Sequence, residues 1–304
     1  MISSLPAGFT IRAPTWDDVD PATEVLLADE HAARGSVNWD AGDTREWLLQ
    51  ADFEQNAWAV ENEGRLVAIG AVNVRGELFD GWLTVHPEFM GRGIGSALVR
   101  IAEDRARELG AQSLRLGTLA ENVAGRRLLE GAGYRDVRHY IQMQIQLDGP
   151  PPAPTWAEGL TVAPFDLGEA RALHAAINDA FADEWNFHPR AFEQWAKHRL
   201  EAEDFDPTLW FIVHDGGEIA AFILCYAMRW GSPHVGLLGV RKPWRRRGLG
   251  LALLHQAFGE FHARGERKVG LGVDALNPTG ATRLYERAGM SVHTEDVVYE
   301  RKLA

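Results

Sequence analysis

The sequence predicts two α/β domains in tandem. Three observations carry that expectation: a length of 304 residues, an internal repeat of about 150 residues, and the same strand–helix order in both repeats. A chain this long suggests about two domains of ~150 residues each. The repeat is visible in four echoes. Gly8-Phe9-Thr10-Ile11 returns as Gly159-Leu160-Thr161-Val162, Trp58-Ala59-Val60 as Trp210-Phe211-Ile212, Gly93-Ile94-Gly95 as Gly248-Leu249-Gly250, and Ala132-Gly133 as Ala288-Gly289. The offset grows from 151 to 156 positions along the chain, so the second copy carries a few insertions. A period that long means duplicated domains rather than a solenoid. The seam is Asp148-Gly149-Pro150-Pro151-Pro152-Ala153-Pro154, whose prolines favour an extended spacer. The expected division is therefore 1–147, a linker at 148–158, and 159–304.

Each copy reads as β-αα-βββ-α-β-α-β, an α/β pattern. The opening strand falls at residues 9–13 and again at 160–163. Helical material follows, at 169–182 and 189–199 in the second copy. Three short apolar runs come next at 210–214, 219–228 and 235–240. They are separated by Asp215-Gly216-Gly217 and Gly231-Ser232-Pro233, residues that favour turns. A glycine-containing loop then opens a helix whose apolar face is Ile94, Ala97, Leu98, Ile101 and Ala102 in the first copy. In the second it is Leu249, Leu253, Leu254, Ala257, Phe258 and Phe261, the spacing of a 3.6-residue period. Another strand (113–116; 268–273), a short helix and a final strand close each copy.

Composition narrows the function. Apolar residues make up 46% of the chain, enough for ordinary cores. The formal net charge of −12 disfavours a nucleic-acid partner, which needs a basic face. No run of ~18 apolar residues suggests a membrane span, and the first residues lack a basic region followed by an apolar run, so no signal peptide is expected. The single cysteine, Cys225, excludes an intrachain disulfide. A cytoplasmic protein, monomer or homodimer, is the expectation. Cys225 lies in the apolar run Phe222-Ile223-Leu224-Cys225-Tyr226, as a small hydrophobe would. No cluster of His, Cys and carboxylates has metal-ligand spacing, so no metal is expected.

The most informative segment is Val240-Arg241-Lys242-Pro243-Trp244-Arg245-Arg246-Arg247-Gly248-Leu249-Gly250. A strand ends, a basic loop follows, and a helix begins. The first helical N–H groups have no intrahelical partner, and with the helix dipole they form an anion site. Glycines let a phosphate approach the backbone without a Cβ in the way. No Lys-Ser/Thr follows the glycines, so this is not a Walker loop. The segment resembles the Arg/Gln-x-x-Gly-x-Gly/Ala signature of the GNAT superfamily of N-acetyltransferases, with Arg245, Gly248 and Gly250 at its three defined positions. In the first copy Met90-Gly91-Arg92-Gly93-Ile94-Gly95 keeps both glycines but replaces Arg/Gln by Met90, and Val85-His86-Pro87 before it is also similar to the family.

A second motif lies downstream. Asn277 followed by Leu284-Tyr285-Glu286-Arg287-Ala288-Gly289-Met290 resembles the family's Asn…Leu-Tyr-Glu-x-x-Gly-Phe segment. The first copy has Asn122, then Leu128-Leu129-Glu130-Gly131-Ala132-Gly133-Tyr134. The second copy's spacing is one residue longer than the commoner one, which an extra residue around Thr279-Gly280 would absorb. The tandem layout is similar to that of the mycothiol synthase family, whose C-terminal domain is the catalytic one. The resemblance implies two domains, each a mixed, mostly antiparallel sheet flanked by helices. It implies acetyl-CoA as cosubstrate and a small-molecule amine as acceptor. It assigns the cofactor to Arg245, Arg246, Arg247, Gly248, Leu249 and Gly250, to Leu238 and Val240 on the preceding strand, and to Asn277. Val85, Gly91, Arg92, Gly93 and Gly95 would form a weaker site in the first copy.

Acetyl transfer from a thioester to an amine needs a base, because an alkylammonium with a pKa near ~10 must lose a proton before it can attack. It also needs a proton donor at the departing sulfur. Tyr285 bears a proton at neutral pH, and the resemblance gives a tyrosine at this place the role of general acid. Leu129 at the aligned place cannot donate a proton, so the first copy is expected to be catalytically degenerate. For the base, the resemblance points to the residue five before the glycine of Gly239-Val240, which is His234; a neutral imidazole can accept a proton. Asp183 and Glu184 are the other candidates, in a segment between two helices where the family shapes its acceptor pocket. The competing readings are an acyl-CoA-binding sensor without turnover and a peptide or protein N-acetyltransferase.

Overall fold

The computed structural model describes residues 5–35, 39–182, 187, 189–202, 204–229, 232–277 and 280–303. The chain divides into two compact units, Met1–Tyr140 together with Glu295–Ala304, and Ile141–Thr294.

Unit 1 contains β1 (Thr10–Arg12), α1 (Val19–Arg34), α2 (Ala41–Gln50), α3 (Phe53–Asn56), β2 (Ala57–Asn62), β3 (Arg65–Arg75), β4 (Leu78–Val85), α4 (Ile94–Glu108), β5 (Ser113–Leu119), α5 (Val123–Gly131) and the start of β6 (Arg135–Gln146). Unit 2 contains the rest of β6, β7 (Leu160–Pro164), α6 (Ala170–Phe181), α7 (Phe192–Leu200), β8 (Trp210–Asp215), β9 (Glu218–Arg229), β10 (Ser232–Val240), α8 (Leu249–Ala263), β11 (Lys268–Asp274), α9 (Ala281–Arg287) and the start of β12 (Ser291–Lys302). The order expected from the sequence is found in both, with one addition in unit 1, the four-residue α3 between α2 and β2. Residues 189–191 stay outside α7: Ala191 is its extended N-cap, with ψ 146°. No helix among the described residues is long and apolar enough to cross a membrane.

The sheet of unit 1 runs β1-β2-β3-β4-β5-β12. Its pairings are antiparallel except for β4 with β5. Unit 2 runs β7-β8-β9-β10-β11, again antiparallel except for β10 with β11, with β6 beyond β11. Strand alternation explains the layers. On β2, Ala57 and Ala59 face the clusters built with α1, around Val19, Ala22 and Val25, while Val60 joins Ile94 and Leu98 of α4 on the other face. In unit 2 a single large cluster joins both faces of the sheet to α6, α7 and α8.

The expected cut at the proline seam, with everything beyond 159 in the second domain, differs from this division. No helix or strand lies between Leu147 and Leu160, but the closing strands do not stay with their own copies. Residues Asp296–Lys302 of β12 pair antiparallel with Leu119–Ser113 of β5, which places the last residues in unit 1. From Ile141 onward β6 belongs to unit 2, where Leu147 N–H donates to Arg267 C=O at 2.8 Å. A strand belongs to the edge it hydrogen-bonds, and sequence order does not decide which edge that is.

Candidate functional site

In each unit the two parallel neighbours part company. In unit 2, β10 pairs with β11 at His234↔Gly270 and, among the described residues, at no later position. In unit 1, β4 pairs with β5 from Asp80↔Arg115 to Trp82↔Gly117 and then diverges. The last residues of β10 and of β4 therefore leave backbone donors and acceptors facing a cleft instead of a strand. Buried backbone groups need partners, so such a cleft suits a ligand with amides of its own.

Directly after each splayed strand comes the loop. A short 3₁₀ turn, Lys242–Trp244 or Pro87–Phe89, is followed by an extended residue: Arg245 at φ −62°, ψ 155° and Met90 at φ −63°, ψ 157°. Arg246 and Gly91 are left-handed, at φ 64° and 75°. Gly248 and Gly93 are left-handed N-caps of α8 and α4, at φ 81° and 86°. The two loops share one backbone shape. A left-handed residue with a Cβ costs roughly 1–2 kcal/mol, a strain that Arg246 carries and Gly91 does not. A Cβ on Gly248 would meet nothing within 4 Å, so the space above the helix N-terminus is open. Four backbone N–H groups converge there without intrahelical partners. Pyrophosphate fits such a cradle. The second glycine of each signature has a different job: a Cβ on Gly250 would come 2.8 Å from Leu284, and one on Gly95 equally close to Leu128. Each packs the loop helix against the following short helix.

The side chains of the loop are not equally available. Arg246 is exposed, and Arg247 lies 3.6 Å from Asp215. The Arg245 guanidinium turns away from the loop mouth, donating to Val240 C=O (3.0 Å) and Ala180 C=O (2.9 Å). In unit 1, Arg92 stacks over Phe89 at 4.8 Å and donates to Glu88 C=O. His86 there is held below its usual range, first by burial and then by the Arg65 cation.

The register of β10 fixes which side chains share a face. His234 pairs with Tyr226, Leu237 with Leu224 and Gly239 with Phe222, with a bulge between Val235 and Leu237. The bulge adds one residue, Gly236, and keeps His234, Leu237 and Gly239 on one face. Leu238 and Val240 point to the opposite face, partly buried. Aromatic rings from β9 lie over the two glycines: a Cβ would meet the Tyr226 ring at 2.1 Å from Gly236 and the Phe222 ring at 2.2 Å from Gly239. Phe222 also packs on Phe181 of α6 at 6.4 Å. The Tyr226 hydroxyl accepts a hydrogen bond from Arg199 of α7. His234, 3% exposed, thus sits on the face roofed by α6 and α7, at the point where β10 and β11 separate.

Tyr285 is buried on α9, immediately after the leucine that packs on Gly250. Leu129 follows the corresponding leucine in unit 1 and is also buried. Asn277 follows the end of β11, its backbone C=O accepting from Gly280 N–H at 3.3 Å. Glu184 and Asp183 lie outside the described residues. Cys225 is fully buried, and burial pushes its thiol pKa well up, leaving no usable nucleophile. Among the described residues no group of His, Cys, Asp or Glu is arranged to hold a metal ion.

Three features were not anticipated from the sequence. Asp80, paired with Arg115 and hydrogen-bonded by Asn73 (2.9 Å), holds in unit 1 the register place that His234 holds in unit 2. Counting back from the loop misses it by one, because only β10 is bulged. Asp29 of α1 is buried and accepts from the Asn122 side chain at 3.0 Å, and burial raises its pKa to about 6. The Arg199–Tyr226 pair joins residues too far apart in sequence for any local signal.

Comparison with known proteins agrees with this geometry. The acetyltransferase (GNAT) family model matches residues 23–134 and 171–290, one match in each repeat. A mycothiol acetyltransferase of Thermobispora bispora is 34% identical over 232 residues, 73% of this chain and 75% of that one. The mycothiol acetyltransferase of Kineococcus radiotolerans is 31% identical across 98% of both chains. Among solved structures, a GCN5-related N-acetyltransferase from Sphaerobacter thermophilus is 34% identical, with a TM-score of 0.88 over 99% of this chain and 97% of its own. A tandem GNAT protein from the clavulanic acid biosynthesis pathway shares the fold, with a TM-score of 0.77 at 14% identity over 97% of this chain and 99% of its own. With two splayed sheets, two phosphate-type loops of one shape and a family match to each repeat, the chain belongs to the GNAT family of acetyltransferases, in its tandem form, and uses acetyl-CoA as donor.

Proposed function

We propose that unit 2 transfers the acetyl group of acetyl-CoA to a primary amine of a small molecule, and that unit 1 is catalytically silent. The observation that carries this reading is the exchange of Tyr285 for Leu129 at one place in otherwise matching frameworks: each follows a leucine packed on the second loop glycine. The relatives named mycothiol acetyltransferases support a small-molecule acceptor.

The backbone amides of residues 245–250 hold the pyrophosphate, and the free edge of β10 takes the amide-bearing arm. Leu238 and Val240 flank that arm, and Asn277 borders it from the end of β11. Bound acetyl-CoA supplies the thioester. His234 accepts the proton of the incoming ammonium, directly or through one water, and frees the nitrogen lone pair. Glu184 or Asp183 is the alternative base, since their segment follows α6. Tyr285 gives its phenolic proton to the departing sulfur. The rings of Tyr226 and Phe222 keep bulk water from this face, which strengthens each proton-transfer interaction. In unit 1 the glycines at 91, 93 and 95, with Val85 and Arg92, keep the cofactor framework without an acid beside it.

The test is free-thiol release from acetyl-CoA with a panel of primary amines. Release should depend on a small-molecule amine. Tyr285→Phe should lower kcat roughly 10²-fold while leaving acetyl-CoA affinity within about a factor of two. Full kcat in Tyr285→Phe would remove the general acid. Release supported only by peptide N-termini would remove the small-molecule acceptor.

A further inference from the structure

Two arginines of the cofactor loop each send a side-chain bond to the end of one helix. Arg241, at the loop's start, donates through Nε to the Asp179 carboxylate at 2.7 Å and through Nη1 to Glu218 (3.2 Å) and Ile219 C=O (3.0 Å). Arg245, at its middle, donates to Val240 C=O and to Ala180 C=O. Asp179 and Ala180 are neighbours in the last turn of α6. The last four carbonyls of a helix lack intrahelical partners and carry the negative end of its dipole. A guanidinium there is a C-terminal cap and a favourable charge at once.

The loop does not need these arginines for its own shape. Unit 1 reaches the same backbone angles with His86 and Met90 in their places, and neither can make the forked bonds to a helix end. What the arginines add is a link. The next residue of α6 is Phe181, whose ring packs on Phe222, and Phe222 lies over Gly239 on the face that carries His234. The path from loop to reaction face therefore has four stations: Arg241 and Arg245, the Asp179–Ala180 turn, Phe181, Phe222.

We propose that Arg241 and Arg245 are positioning residues. They brace the cofactor loop against the end of α6, so that filling the loop also fixes the helix that roofs the amine side. This rests on acetyl-CoA binding at residues 245–250, as proposed above. In this view Arg245 acts on the donor through the backbone of its loop, and its signature position is held by what it does to α6.

Amide hydrogen exchange on the full chain, with and without acetyl-CoA, tests the brace, alongside calorimetric acetyl-CoA affinity. In the unaltered protein, acetyl-CoA should slow exchange both in the loop and in the last turn of α6 with its C-cap, residues 178–182. Arg245→Met, which installs the first copy's residue, should raise exchange in that turn about tenfold in the free protein. It should lower acetyl-CoA affinity by no more than about tenfold. Acetyl-CoA should then protect the loop as before but the helix end less, since only the Arg241–Asp179 link remains. Asp179→Asn weakens the other link, to Arg241, and should reduce the helix-end protection similarly. Protection of the α6 turn that survives in the Asp179→Asn/Arg245→Met double variant, which cuts both links, would overturn the brace. So would an affinity loss beyond about a hundredfold in Arg245→Met, which would make Arg245 a direct phosphate ligand. Failure of the unaltered protein to bind acetyl-CoA would instead sink the underlying functional reading.

Discussion

Asp29 is a carboxylate held where water would serve it better. It is 6% exposed, and the Asn122 amide and the more distant Arg34 cation offset only part of the desolvation, so its pKa rises to about 6. The folded protein therefore binds a proton that the unfolded chain, with an ordinary pKa near 3.8, has already released. Where the unfolded state holds fewer protons, stability falls as pH rises. Asp29 should thus cost unit 1 about 2–3 kcal/mol between pH 4 and pH 7. Chemical denaturation across that range should show a flatter profile for Asp29→Asn; an unchanged slope would mean that Asp29 is not the group responsible. Half of this arrangement was legible in the sequence. The motif marks Asn122, but nothing in it declares the cap on α5 (Gly125 N–H, 2.8 Å) or the bond to Asp29. The partner lies 93 residues away, and no pattern of spacing reaches so far.

Among the elements, β10 departs most from its counterpart. The extra residue in its bulge makes room for the Tyr226 ring, which occupies the space a side chain at 236 would need. Gly236→Ala should destabilise unit 2 by about 1–3 kcal/mol, the usual cost of overpacking. The penalty should shrink by at least half in a Tyr226→Ala background, since the clash is with that ring. Denaturation midpoints of the four proteins close the cycle, and an additive result would place the strain elsewhere. The strands, the loop and the loop helices could be read directly from the sequence, because each is declared locally: alternation, a glycine N-cap, a 3.6-residue stripe. The bulge could not. Its insertion is one of three steps by which the repeat offset grows from 152 at Trp58 to 155 at Gly93, and hydrogen-bond register is what locates it between Val235 and Leu237. The brace of Arg241 and Arg245 was hidden for a similar reason. The signature assigned Arg245 to a phosphate site, and the end of α6 competed for its side chain and won.

At the scale of the whole chain, the duplication was plain and the exchange of closing strands was not. Both β6 and β12 read as good strands, and an amphipathic pattern does not name its partner. Val297, Tyr299 and Leu303, all from the last ten residues, are buried in the core of unit 1, and the Tyr299 hydroxyl donates to Glu130 of α5 at 3.0 Å. Each such side chain contributes about 1.5–3 kcal/mol by burial alone, comparable together to the whole stability of a modest domain. Removing residues 295–304 should therefore unfold unit 1 while leaving most of unit 2 protected, as read by hydrogen exchange along the chain. Equal loss in both, or none in unit 1, would contradict the division. The same strand sets an order of events during synthesis. Unit 2 is continuous in sequence and is complete when residue 294 emerges. Unit 1 waits for the final ten residues after its own first 140 have left the ribosome. At about 5–20 residues per second that delay is roughly 10–30 s. Of the two units, the one translated first is thus the later to finish folding, and through that interval the edge of β5 stays open to any chaperone or nascent neighbour within reach.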